Sequence, residues 1–296
     1  MTTRFPNLLV AGVPKAGTSS LFTWLDDHPQ AQGSKEKETC FFADPDSHTF
    51  RPEFNAGQGL DRYKNAFPVI LTESEVVFEA TPTYIYSRTA LEMVPNLSGA
   101  PKCIFVLREP ASQIESVFRY FRDNWNYIPA DMQFAQYLAA VSSQTDGFGG
   151  NELAQQPFTY ADYGPWLHAW RAQLGPSRMM VCTFDQLRAD PKSLMKDIAA
   201  WCGLDPIFYD DYGFPAENET YTPKNRLLQS INIAVRGVLP KGRAYQAARR
   251  LYRGLNTQAP GGTDNDAILT ELRQQFAEAN RTLAIDFDLD LSGWAP

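Results

Sequence analysis

The chain is poor in the features that would give it away at once. It has three histidines and four cysteines in 296 residues. None of Cys40, Cys103, Cys182 and Cys202 forms a close C-x-x-C pair, which argues against a zinc site. Cys103 and Cys182 fall in apolar, strand-like runs, where a buried free thiol in a reducing compartment is the expected state. No apolar run reaches the roughly 20 residues of a membrane span, and Pro14 and Lys15 interrupt the first apolar stretch before it resembles a leader. A cytoplasmic location is expected. A basic balance is lacking too: the formal net charge is −7, which disfavours nucleic acid as a partner. Acidic residues are missing locally between Thr220 and Thr263, while Lys and Arg recur from Lys224 to Arg253.

What is present is alternation. Leu8–Ala11, Val76–Glu79, Cys103–Leu107 and Met179–Phe184 read as short buried strands. Between and after them, helical spacing appears at Leu21, Trp24, Leu25 and His28, from Pro110 through Phe121, over Tyr163–Leu174 and over Lys192–Trp201. A last helix is expected over about 266–283. Residues 44–68 read as a long loop with a short helix near Leu60–Phe67. Residues 143–157 read as a polar, Gly-rich gate. Strands alternating with helices predict an α/β fold in three layers around a central parallel sheet. The length and the 44% hydrophobic content fit one domain over 1–296. Residues 206–260 are expected to form a helical cap, with basic apolar helices over 227–255.

The stretch "LLVAGVPKAGTSSL" (8–21) carries the first chemical signal. Gly12 and Gly17 have the spacing of the two glycines in a phosphate-binding P-loop, G-x-x-x-x-G-K-[ST]. The lysine slot, however, holds Thr18, and the lysine stands three residues earlier as Lys15. The loop keeps its use: glycines permit the turn, and N–H groups at a helix start attract an anion. Pro14, Lys15, Ala16, Gly17, Thr18, Ser19 and Ser20 are therefore the expected phosphate cradle. The triphosphate-plus-magnesium reading is weakened, since no apolar strand ends in the metal-binding aspartate. The strand at 103–107 ends instead in Arg108, a cation that suits a second phosphate. A surface ion pair of Arg108 with Glu109 or Asp185 is the structural alternative.

Several segments together resemble the sulfotransferases that use 3′-phosphoadenosine-5′-phosphosulfate (PAPS), nearer to the heparan-sulfate-type and bacterial enzymes than to the phenol and steroid enzymes. "GVPKAGTSSLFTWLDDHP" is similar to the 5′-phosphosulfate loop, and "VLREPASQIESVFRYF" to the 3′-phosphate element, with Arg108 and Ser116 in the matching places. "KETCFF" resembles a K-E-x-x-F-F element and puts Glu38 at the general-base position. "YGPWLHAW", "VCTFDQLRADP" and "FDLDLSGW" resemble later segments, so the likeness covers about two-thirds of the chain in order.

The resemblance implies in-line transfer of a sulfuryl group from PAPS to a hydroxyl of a sugar, natural product or lipid-linked acceptor, without a metal. Glu38 would take the acceptor proton, and Lys15 would neutralise the leaving phosphate. Glu36, two residues before Glu38, competes for the base role. Tyr163 is a possible adenine-side residue, with a core position as its alternative.

Two departures stand out. The family lysine after the strand is replaced by Ala80 in "FEATPTY", so a second cation is missing or comes from elsewhere. The cysteine-flanked K-G-R loop is also missing, and Lys224 and Arg226 in "TPKNRLL" are the substitutes. Glu79, Thr81 and Tyr84 are expected near the acceptor cleft, with a buried structural carboxylate as the other reading of Glu79. His28 is expected to be structural.

Two readings of other classes remain. One is a small-molecule kinase using ATP and magnesium. The other is a docking module whose basic 224–253 region makes peripheral contact with an anionic membrane or a partner.

Overall fold

The computed structural model describes residues 5–68, 75–215, 222–223, 257–258 and 265–295. Five short strands form one sheet: β1 (Leu8–Gly12), β2 (Ala31–Gly33), β3 (Val76–Glu79), β4 (Lys102–Leu107) and β5 (Met179–Thr183). Their order is β2-β3-β1-β4-β5, and every pair is parallel. β1, β3 and all but the first residue of β4 are buried, which is why they read as continuous apolar runs rather than alternating ones.

Helices cross over between strands. The chain adds α1 (Thr18–Asp26), α2 (Arg88–Met93), α3 (Pro110–Tyr120), α4 (Phe134–Ser143), α5 (Glu152–Gln155), α6 (Pro157–Ala161), α7 (Tyr163–Leu174), α8 (Phe184–Ala189), α9 (Pro191–Cys202) and α10 (Asp266–Phe287). A π-turn, Phe121–Trp125, prolongs α3. The main core lies on the sheet. A second apolar cluster gathers α3, α4, α5 and α6 against Leu272 and Phe276 of α10.

Several expectations hold almost to the residue, including α7 and β3. β5 stops at Thr183 because that residue's side chain accepts from Gln186 N and opens α8, so Phe184 belongs to a helix. The expected polar gate at 143–157 is corrected. It contains a 3₁₀ turn at Phe148–Gly150 and then α5 and the start of α6. Phe148 and Leu153 are buried in the second cluster, and Gln155 Nε2 donates to Gly147 O. Three turn-like glycines and a run of polar residues hid these apolar anchors.

The expected cap helices over 227–255, and the basic 224–253 surface with them, lie outside the described residues. Of the 206–260 segment, the 3₁₀ turn Pro206–Asp210 and an antiparallel pairing of Thr222–Pro223 with Thr257–Gln258 are described. Among the described residues no helix is long and apolar enough to cross a membrane.

Candidate active site

The phosphate loop lies at the C-terminal end of the sheet, between β1 and α1, where open α/β sheets bind ligands. A side chain at Gly12 would be crowded, because a Cβ there would meet Ile85 at 3.0 Å and the Phe105 ring at 3.1 Å. Gly17 adopts φ +81°, the left-handed region that favours glycine. Lys15 is held in the same region at φ +68° although it has a side chain, a strained conformation of the kind found at functional sites.

The neighbouring elements hold this strain in place. Arg108 Nη1 donates to Lys15 O at 2.8 Å, and Gln113 Nε2 of α3 donates to Pro14 O at 3.4 Å. Each trans peptide sets its N–H opposite its carbonyl, so drawing the carbonyls of Pro14 and Lys15 toward β4 and α3 turns the N–H groups of Lys15 and Ala16 the other way. α1 starts with no side-chain cap at Gly17 and no acidic residue in its first turn, which suits an anion. Thr18 and Ser20 are buried and Ser19 is half-buried.

Lys15 is half-buried, with its ammonium 4.1 Å above the centre of the Tyr120 ring. Burial lowers its pKa to about 8, with Arg108 and Lys37 adding repulsion. Arg108 makes no ion pair among the described residues. The two carboxylates proposed for it are engaged elsewhere: Glu109 caps α3 through Ala111 N and Ser112 N, and Asp185 accepts from Trp294 Nε1 at 2.8 Å. The guanidinium lies 5.0 Å from the Phe184 ring centre, and burial lowers its pKa as well. Ser116 is buried on α3, the helix that follows Arg108. Lys15 and Arg108, neither in an ion pair among the described residues, thus flank the start of α1.

Tyr163 is 1% exposed and donates from its hydroxyl to Arg108 O at 2.8 Å. Its contact is with the backbone that carries Arg108, which fits the core position. Lys224 and Arg226 lie outside the described residues.

The segment carrying Glu38 follows β2. Glu79 anchors it from below and is fully buried. Its Oε2 accepts from Thr39 N (3.3 Å), Thr39 Oγ1 (2.8 Å) and Thr81 Oγ1 (2.6 Å), and its Oε1 from the hydroxyls of Tyr84 (3.2 Å) and Tyr63. Burial raises the Glu79 pKa against the pull of these donors. Glu79, Thr81 and Tyr84 therefore form a sealed polar knot in the core rather than the wall of a cleft, and Glu79 is the structural carboxylate. Phe41 and Phe42 are buried on either side of Tyr63 and fix the register.

Glu36 and Glu38 part company here. An extended strand would put both on one side, but the chain bends at 35–37. Glu36 pairs with Arg51 at 3.2 Å, whereas Glu38 pairs with Lys37 Nζ at 2.8 Å. The same ammonium reaches Thr18 Oγ1 at 3.3 Å, which ties Glu38 to the phosphate loop. Lys37 is the site residue that sequence reasoning missed. The signal was its place before Glu38, hidden in the charge run "SKEKETCFF". Ala80 offers no cation; its N–H donates to Lys37 O at 3.0 Å and holds the adjacent segment.

His28 is buried and structural, as expected. Its Nδ1 accepts from Gln30 N, which leaves Nε2 to donate to Asp205 O at 3.0 Å. The thiols are equally inert: burial pushes Cys40 and Cys182 up to about 12.

A model of the sulfotransferase domain matches residues 5–212. The chain belongs to the sulfotransferase domain family. Sulfuryl transfer is the chemistry this membership supports, and the loop of Lys15 and the Arg108 helix both lie within the matched residues.

Among curated relatives, the domain is 28% identical over 229 residues to the human bifunctional heparan sulfate N-deacetylase/N-sulfotransferase 2, covering 71% of this chain and 24% of that one. It is 24% identical over 206 residues to the human bifunctional heparan sulfate N-deacetylase/N-sulfotransferase 3, covering 69% and 23%. The chain thus spans about a quarter of the length of these relatives. Among solved structures, the sulfotransferase from Alicyclobacillus acidocaldarius superposes with a TM-score of 0.69 at 19% identity, over 98% of both chains. That likeness extends the shared fold over nearly the whole sulfotransferase chain.

Proposed function

We propose that this sulfotransferase domain moves a sulfuryl group from PAPS to an acceptor hydroxyl by in-line displacement. The observation that carries the reading is the linkage of three groups at one end of the sheet. Arg108 holds the carbonyl of Lys15, and Lys37 joins the loop hydroxyl of Thr18 to Glu38.

Residues 14–20 would hold the 5′-phosphosulfate with N–H groups and hydroxyls. Arg108 would bind the 3′-phosphate, with Ser116 on the same helix and with Lys224 and Arg226 as further contacts. Tyr163 would hold Arg108 from behind. The acceptor oxygen attacks sulfur as the bond from sulfur to the phosphate oxygen breaks. Glu38 takes the acceptor proton. The electron pair stays on the phosphate, where Lys15 stabilises it. Both changes of charge thus meet a prepared partner, and the scheme calls on no metal.

The relatives are named for N-sulfotransferase action on heparan sulfate, so the test must offer nitrogen as well as oxygen acceptors. The protein is incubated with PAPS carrying radiolabelled sulfate and a panel of sugars, amino sugars and alcohols, beside Glu38→Gln. We expect label on a hydroxyl, with a loss of about 10²–10⁴-fold in Glu38→Gln. Wild-type rates in Glu38→Gln overturn the base. Transfer of label to amines alone overturns the hydroxyl.

A further inference from the structure

Three cations surround the phosphate loop, and the reaction as written above uses two of them. Lys37 has no task in it, although its ammonium stands between the loop and the base, 3.3 Å from Thr18 Oγ1 and 2.8 Å from Glu38 Oε1. A group passing from a donor on the loop to an acceptor beside Glu38 moves within hydrogen-bond range of this ammonium.

The stem is fixed at both ends. Lys37 O is held by Ala80 N, and Thr39 is held by Glu79 through main chain and side chain. The ammonium itself is at the solvent boundary, with the side chain 20% exposed, and its carboxylate partner is 48% exposed. A pair that open contributes at most about 1 kcal/mol to stability. Stability therefore gives little reason for placing a lysine against both the loop and the base.

We propose that Lys37 is a catalytic cation of the transfer, an inference that rests on the sulfotransferase reading above. In the free protein its charge is balanced by Glu38. With donor on the loop, the ammonium turns from Glu38 to the non-bridging oxygens of the sulfuryl group. That movement does two things: it spreads positive charge over the group in flight, and it releases the Glu38 carboxylate to accept the acceptor proton. Lys37 itself gives up no proton. The sulfur–oxygen bond to the acceptor forms as the one to the phosphate breaks, and the displaced electron pair remains on adenosine 3′,5′-bisphosphate.

The test compares wild type, Lys37→Ala and Lys37→Arg by melting temperature, by calorimetric affinity for PAPS and for adenosine 3′,5′-bisphosphate, and by single-turnover transfer to an acceptor identified above. In Lys37→Ala we expect an unchanged fold and a bisphosphate Kd within about threefold of wild type, because the product has no sulfuryl group to contact. Transfer should fall by about 10²–10³-fold, and Lys37→Arg should recover part of it. Wild-type transfer by Lys37→Ala overturns the proposal. So does an equal weakening of PAPS and bisphosphate binding, which would make Lys37 a plain phosphate contact. If the wild-type protein transfers sulfate to nothing, the functional reading fails, and the binding ratio alone decides Lys37. A preference for PAPS over bisphosphate that disappears in Lys37→Ala supports the sulfuryl contact, and a preference that persists refutes it.

Discussion

Replacing Glu79 should cost the protein more stability than replacing any group that faces the loop. In Glu79→Ala, five donor contacts lose their acceptor. Thr39 N–H belongs to the main chain and cannot turn to another partner, which costs about 1–3 kcal/mol. The hydroxyls of Thr39 and Tyr84 stand 3.0 Å apart and can pair with each other, but those of Tyr63 and Thr81 have no such exchange and add about 1 kcal/mol each. With the void left by the carboxyl group, the total is about 4 kcal/mol. For a chain of this size that corresponds to a fall of about 8 °C in melting temperature.

Glu79→Gln keeps the volume and gives a sharper test through pH. Burial raises the folded-state pKa of Glu79 above the ordinary carboxylate value, so the folded chain holds this proton more tightly than the unfolded chain. Its contribution is greatest below the unfolded pKa and is lost as pH rises through the folded one. The stability gap between wild type and Glu79→Gln, read by denaturant unfolding, should therefore be widest in acid and narrow as pH rises through the folded pKa. A gap that widens with pH would mean the carboxylate is stabilising as an anion. A fall in melting temperature of less than about 2 °C in Glu79→Ala would refute the anchoring role itself.

Two further outcomes follow from the loop. Burial and neighbouring cations lower the Lys15 pKa from 10.5 to about 8, so the charged lysine opposes folding below pH 8, and that opposition fades as pH rises from 8 toward 10.5. Lys15→Met should melt higher than wild type at pH 7, with a smaller advantage at pH 10, while losing transfer activity; a lower melting temperature at pH 7 would contradict this. Gly17→Ala places a Cβ 3.0 Å from the Phe184 ring at φ +81°, and should lower bisphosphate affinity about 5- to 30-fold, since strain of about 1–2 kcal/mol falls on the loop itself; calorimetric titration reads it.

The sheet and the loop were legible because their signals are local. Glycines at a fixed spacing, apolar runs of strand length and an arginine at a strand end each speak for themselves. β2 escaped notice because Ala31, Gln32 and Gly33 carry no strand propensity, and tertiary pairing with β3 alone makes them a strand. Lys37 escaped because its role depends on a bend at 35–37 that no single residue announces. The sequence alone leaves Glu79 between the acceptor cleft and a buried structural role, because Glu, Thr and Tyr look the same in a string whether they face solvent or one another. The contacts of Tyr120 beneath Lys15 and of Phe184 beneath Arg108 are not legible in a string, since cation–π contacts need three-dimensional proximity.

Phe184 touches both halves of this arrangement. Its ring closes the space beside Gly17 and also carries the Arg108 guanidinium. On the reading proposed above, this one aromatic ring would stand between the two phosphate sites, and the Arg108–Lys15 bond braces the other side. A nucleotide with its second phosphate on another carbon would then meet a different spacing from adenosine 3′,5′-bisphosphate, and it should bind more weakly.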